Sequence, residues 1–149
     1  MYKDGEILAA EQVASVTGFD DTNVGRGTKW KYINSGGADH YAILRKGQHT
    51  ETYIANRQKE KKHRTIIQVL QRVKDNLTDR YDDLLDHADN IIARLETRRL
   101  LGDTGSTVFD ANITGGDEVK ELWIRETLAW IYVDIYLDWQ EQYNVTFAE

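Results

Sequence analysis

The segment LAWIYVDIYLDW, residues 128–139, constrains the fold more than any other part of this sequence. In a strand, its side chains alternate between two faces. One face is uniformly apolar and predicts core, whereas the other mixes aromatic residues with an aspartate and is typical of a half-exposed face or one covered by a partner. The apolar face holds Ile131, Val133, Ile135, Leu137 and Trp139, and the mixed face holds Trp130, Tyr132, Asp134 and Tyr136. Such a strand spans about 40 Å, and strands this long often serve edges or interfaces.

Residues 78–102 predict one long amphipathic helix. Thr78 can cap its start, aspartates crowd its first turns, arginines its last turns, and Gly102 follows. Its apolar residues recur at three- and four-residue spacing, so this stripe must cover a sheet or another helix. The stripe consists of Tyr81, Leu84, Leu85, Ala88, Ile91, Ile92 and Leu95.

The first half of the chain predicts a short helix followed by a hairpin. Asp4 can cap a helix over residues 4–18, and Gly18 offers a left-handed stop. KWKYIN, residues 29–34, and HYAILRKG, residues 40–47, alternate and predict two hairpin strands. The alternation continues in TETYIA, residues 50–55, and a small strand is expected near residues 106–113.

Residues 65–77, TIIQVLQRVKDNL, fit two structures. Ile66, Leu70 and Leu77 fit a helical stripe, whereas Ile67 and Val69 fit a strand face. Periodicity alone does not separate a short apolar strand from a buried helix. The β-branched residues favour the strand.

Composition excludes several classes of protein. A chain of 149 residues is one domain by the usual size range, and 40% apolar with 30% charged residues is ordinary for a globular protein. The absence of cysteine excludes disulfides, thiolate metal sites and a cysteine nucleophile. No apolar window is long enough for a membrane span, and the first residues lack the core of a signal peptide. A net charge of −6 argues against a general nucleic-acid binder.

Two short segments carry opposite charge. Residues 57–64, RQKEKKHR, contain five Lys or Arg and one Glu, a balance of +4. Residues 79–90 contain five Asp and one Arg, a balance of −4. Charge runs usually face water, and a contact surface for phosphate or for an acidic protein is the alternative for the basic run. No aromatic residues interleave with these cations, which weakens the hypothesis that the basic run binds nucleic acid.

No motif in the sequence carries catalytic chemistry. Asp83 and His87 lie four residues apart on the predicted helix, and a solvated face is favoured over a small metal-dependent hydrolase using the Asp82–His87 region. The glycines near residue 105 lack the lysine of a phosphate loop, and no Gly-x-Ser-x-Gly elbow occurs. We therefore expect no enzyme activity, no cofactor and no metal ion.

The order of these segments resembles that of the tail terminator proteins of long-tailed bacteriophages, the lambda-type minor tail protein family. RTIIQVLQRV followed by DDLLDHADNIIARL carries most of the likeness, which covers most of residues 5–139. The resemblance implies a single tail-terminator-like domain over residues 1–149 with an α+β fold. In that fold a mixed, mostly antiparallel sheet is packed against one long amphipathic helix and a short N-terminal helix.

The resemblance also implies a function. The chain would be a structural virion protein that forms a homo-hexameric ring on the tail tube protein, ends tube polymerisation and joins the tail to the head-side connector. It would be assembled in the host cytoplasm and reside in the tail or neck, with DNA passing through the ring without specific binding and without membrane contact. A head completion or connector protein is a close alternative, and a small adaptor or toxin-system binding module is one from another class.

Opposite charges on one subunit suit head-to-tail packing, in which one surface meets a different surface of the neighbour. We therefore expect an interface that combines basic, acidic and aromatic residues. The candidates are Arg57, Lys59, Lys61, Lys62, Arg64, Asp82, Asp83, Asp86, Trp130, Tyr132 and Tyr136.

Overall fold

The computed structural model of the chain describes residues 2–35, 37–55, 58–98, 101 and 108–144. These residues form three helices and six strands, in the order α1-β1-α2-β2-β3-α3-β4-β5-β6. The helices are α1 (Tyr2–Ala14), α2 (Lys29–Ser35) and α3 (Leu77–Glu96). The strands are β1 (Val24–Arg26), β2 (His40–Ala55), β3 (Gln58–Arg72), β4 (Val108–Gly116), β5 (Lys120–Ile124) and β6 (Thr127–Asn144).

All six strands belong to one sheet, in the order β1-β2-β3-β6-β4, with β5 also pairing with β6. β1 is parallel to β2, and the other pairs are antiparallel. β3 and β6 form the central ladder, in unbroken register from Gln58↔Asn144 to Arg72↔Trp130. The predicted α+β fold with a mixed, mostly antiparallel sheet is therefore confirmed.

One side of the sheet, the helix face, carries the main core. α1 packs on β1, β2 and α3, while α3 packs on β3, β4 and β6. The apolar face of the 128–139 segment lies here as predicted, with Ile131, Ile135, Leu137 and Trp139 buried. Within the described residues, no helix has the length and apolar character needed to cross a membrane.

The opposite side, the open face, is covered at one end by α2. Ile33 packs there with Tyr41, Ile43, Leu70 and Trp130 in a second, smaller core. The prediction of a hairpin strand at residues 29–34 is wrong, because this segment forms α2. Ile33 and Tyr32 of this segment pack on the aromatic residues of the open face, which a strand beside β2 would not cover.

α3 confirms the predicted long helix with two corrections. Its N-cap is Asn76, whose side chain accepts a hydrogen bond from the Asp79 N–H, so the prediction of Thr78 as the cap is wrong. Leu84, Ala88, Ile91 and Leu95 are buried as predicted. Tyr81 and Leu85 were expected in the buried stripe but are 42% and 37% exposed, because the sheet covers a narrower stripe of α3. Gly102 lies outside the described residues.

The other predicted helices and strands have the predicted type, but they begin or end at different residues. Residues 65–72 belong to a strand, as the β-branched residues predicted, and the two alternating segments at 40–55 form the single strand β2. α1 begins at Tyr2, which places Asp4 inside its first turn rather than at the cap. Gly18 has a left-handed φ of +91°, but α1 ends at Ala14, so the prediction of Gly18 as the stop of this helix is wrong. β4 overlaps the strand expected at 106–113, of which residues 106–107 lie outside the described part.

A polar network joins α1 to the sheet. The Tyr2 hydroxyl donates to Glu6 Oε2 (2.5 Å) and lies 3.1 Å from Thr65 Oγ1, which also accepts from Trp139 Nε1 (3.1 Å). Arg26 Nε donates to Glu6 Oε1 at 2.6 Å. Burial and the hydrogen bond to Glu6 raise the pKa of Tyr2, so its hydroxyl stays protonated as the donor.

Candidate assembly surface

The basic segment lies in the first half of β3, in the middle of the sheet rather than in a loop. Strand alternation places Lys62 and Arg64 on the open face, while Lys61 shares the helix face with the buried His63. Lys62 is exposed and Lys61 half-buried. The side chain of Lys59 lies outside the described part of the chain, as does Arg57 altogether.

Arg64 is engaged within its own chain. Its Nε and Nη2 donate to the two carboxylate oxygens of Asp138 at 2.9 and 3.2 Å, and Thr114 Oγ1 donates to the same carboxylate at 2.9 Å. The guanidinium also lies 4.8 Å from the centroid of the Tyr136 ring. The hydrogen bond to Asp138 raises the pKa of Arg64. Arg64 therefore fixes the geometry of the open face, and Lys62 is its more accessible cation.

A polar cleft of about 340 Å³ surrounds this ion pair at the end of the sheet away from α2. Its lining comes from four neighbouring strands and includes Thr50, Lys62, Asn112, Asp138 and Gln140. Cations and carboxylates are both present, so the cleft favours no single sign of charge. This composition is typical of a wet, polar contact surface.

The aromatic candidates have different environments. Trp130 is 3% exposed and packs against Tyr41 under α2, so the chain's own residues cover it. Tyr132 and Tyr136 are half-buried on the open face. Asp134, between them, is 5% exposed, and its Oδ2 lies 4.0 Å from Arg45 Nη2. Sequence reasoning placed Asp134 on a half-exposed face and missed that it is buried.

The outward side of α3 is both acidic and apolar. Asp82 and Asp86 are exposed, whereas Asp83 is half-buried and bridges to Arg80 at 3.1 Å. Leu77, Tyr81 and Leu85 follow one another at four-residue spacing and are 47%, 42% and 37% exposed. An exposed apolar stripe rimmed by carboxylates is characteristic of a contact surface. The sequence signal for Tyr81 and Leu85 was present, but it was assigned to the core.

His87 lies in an aromatic cluster rather than a ligand cluster. Its ring stacks on His40 at 4.2 Å between centroids, and Phe19 meets both rings edge-on. Burial, followed by the nearby His40, lowers the pKa of His87. No group of three or more His, Asp or Glu side chains in the described residues could hold a metal ion.

The basic and acidic groups lie on opposite flanks of one sheet. β2 and the basic run of β3 form one flank, together with α1. β4 and β5 form the other, and the acidic α3 packs over β3, β6 and β4. Residues 45–50 and 61–64 contain five Lys or Arg and no Asp or Glu, a balance of +5, whereas residues 108–126 contain five Asp or Glu and two Lys or Arg, a balance of −3. The subunit is therefore electrically polar across the direction of its strands.

No protein-family model matches the sequence, and no curated protein matches it significantly. The geometry of the chain itself therefore carries the functional argument.

Proposed function

We propose that this chain is the tail terminator of a long-tailed bacteriophage, a virion protein that forms a homo-hexameric ring on the tail tube. The ring ends polymerisation of the tube protein and presents a surface to the head-side connector. The chain acts as a structural part and not as an enzyme. DNA passes through the ring without specific binding.

The observation that carries the proposal is the opposite charge of the two flanks. A surface with separate positive and negative sides packs against copies of itself head to tail, and such contacts close into a ring when the rotation between copies closes. Charge complementarity of this kind sets register and orientation more than affinity.

Two further observations support the proposal. The exposed stripe of Leu77, Tyr81 and Leu85 on α3 supplies apolar area for a contact, which charge alone does not. The net charge of −6 suits a channel through which DNA slides, because basic contacts would hold its phosphates.

The deciding experiment is co-expression with the tail tube protein encoded in the same genome. We expect electron micrographs to show tubes that stop growing and carry a sixfold ring at one end. Tubes of unchanged length without an end ring would overturn the proposal. Tubes of unchanged length together with binding to the capsid portal would instead support a head completion protein.

A charge-reversed variant tests the role of the basic flank. Lys61→Glu with Lys62→Glu should abolish the end ring, because acidic groups would then face the acidic flank of the neighbour. The matched control is Lys31→Glu with Lys74→Glu, which changes the net charge equally at exposed lysines outside the basic flank. Normal ring formation by the Lys61 and Lys62 variant would contradict the assigned flank.

A further inference from the structure

The outer edge of β2 is a long strand edge that the described part of the chain leaves unpaired. β1 pairs with β2 only at Ala42, Ile43 and Leu44, and the Gly27 N–H donates to the Leu44 carbonyl just beyond it. From Arg45 to Ala55, β2 continues with β3 as its one strand neighbour among the described residues. The pairing of this stretch with β3 is irregular between Lys46 and His49 and between Tyr53 and Ala55. The regular part of the edge, residues 49–53, is a template for another strand.

We propose that this edge receives β4 of a second copy of the chain, so that the sheet continues from subunit to subunit. The inference rests on the proposed ring and specifies how its subunits join. It assigns the partner as another copy, the contacting element as β4, and the contact as heterologous.

Strand direction permits this arrangement. β2 is antiparallel to β3, β3 to β6, and β6 to β4, so β4 runs opposite to β2 within one subunit. A second copy rotated about an axis along the strands therefore presents its β4 antiparallel to β2. Neighbouring strands thus keep alternating in direction across the contact between subunits. Every subunit makes the same contact, as cyclic symmetry requires.

Charge selects this partner over the symmetric one. Pairing β2 with β2 of a second copy would set side by side two edges that each carry Arg45 and Lys46, with Lys62 and Arg64 one strand further in. Such a juxtaposition of like charges disfavours the contact. Pairing β2 with β4 instead sets these cations beside residues 108–126, whose charge balance is −3.

The geometry of β4 also bears on the register. β4 pairs with β6 through two irregularities, between Phe109 and Asn112 and between Ile113 and Gly115, and Asp110 has a φ of +54°. Bulges of this kind blunt an edge against indiscriminate pairing. The ladder with β2 of the neighbour is therefore short, and the flanking charges fix its register.

Cross-linking between single-cysteine variants tests the inference, because the natural chain contains no cysteine. Thr50→Cys marks β2 and Asn112→Cys marks β4, both at exposed positions on the open face. The two proteins are incubated separately and mixed, with the tail tube protein present, and treated with a short bismaleimide. We expect a covalent dimer in the mixture and in neither protein alone.

Each other outcome overturns the inference. A dimer with Thr50→Cys alone indicates symmetric pairing of β2, and a dimer with Asn112→Cys alone indicates symmetric pairing of β4. No dimer in the mixture, while both thiols react with a monofunctional maleimide, rules out the β2–β4 contact. Lys3→Cys mixed with Thr50→Cys measures cross-linking by random collision.

The same samples separate this inference from the proposed function. An end ring without the mixed dimer leaves the tail terminator proposal standing and overturns edge pairing. A mixed dimer on tubes that keep growing supports edge pairing and overturns the terminator proposal.

Discussion

At the scale of single residues, His87 makes the stability of the fold depend on pH. Its ring is half-buried against His40 and Phe19, and this burial lowers its pKa. The carboxylates of Asp83 and Asp86 on the same helix raise the pKa and oppose part of this shift. Since the pKa of His87 is lowered in the folded state from its ordinary value of 6.5, the unfolded chain binds the proton more readily. The free energy of unfolding is therefore highest above pH 6.5 and falls as the pH drops from 6.5 toward the folded pKa.

The variant His87→Gln should lose this part of the pH dependence. Urea unfolding of both proteins at several pH values between 8 and 5 measures it. We expect the decline in stability on acidification to be shallower for the variant. An equal or steeper decline in the variant would contradict a lowered pKa of His87.

At the scale of elements, α3 depends on a cap that the sequence pattern misassigned. Asn76 Oδ1 accepts from the Asp79 N–H at 3.2 Å, whereas Thr78 lies exposed inside the first turn. Asn76→Ala should lower the free energy of unfolding by about 1 kcal/mol. Thr78→Ala is the matched control and should leave it nearly unchanged, as measured by thermal or urea unfolding. A larger loss for Thr78→Ala than for Asn76→Ala would refute this cap assignment.

The elements that the sequence predicted are those with long repeating patterns. α3 and β6 have 20 and 18 residues, enough for apolar spacing to separate helix from strand. In β3 the apolar spacing fits both structures, and its β-branched residues predicted the strand. α2, β1 and β5 have 7, 3 and 5 residues, and over six positions KWKYIN satisfies both periods. The charged segments of the candidate surface were visible in the sequence. Their opposite flanks were not, because the strand order β2-β3-β6-β4 depends on long-range pairing.

At the scale of the whole molecule, reversing the charges of both flanks together should preserve the contact between subunits. Lys61→Glu with Lys62→Glu, or Asp82→Lys with Asp86→Lys, should each abolish the end ring on tubes. All four changes together should restore it, since the attraction between flanks returns with its direction reversed. Electron microscopy of tubes made with each variant measures this. Failure of the fourfold variant, with its fold intact by circular dichroism, would show that these residues do not face one another.

Trp139 in β6 occupies the space that a Cβ on Gly5 in α1 would need, and the Tyr2 hydroxyl and the Trp139 indole share Thr65 as a neighbour. The native contacts between α1 and Trp139 therefore form only after β6 has been translated and has paired with β3. Contacts this distant along the chain slow folding and leave the emerging polypeptide partly exposed to aggregation on the ribosome. Newly made subunits thus become competent to join a neighbour only once synthesis has passed β6.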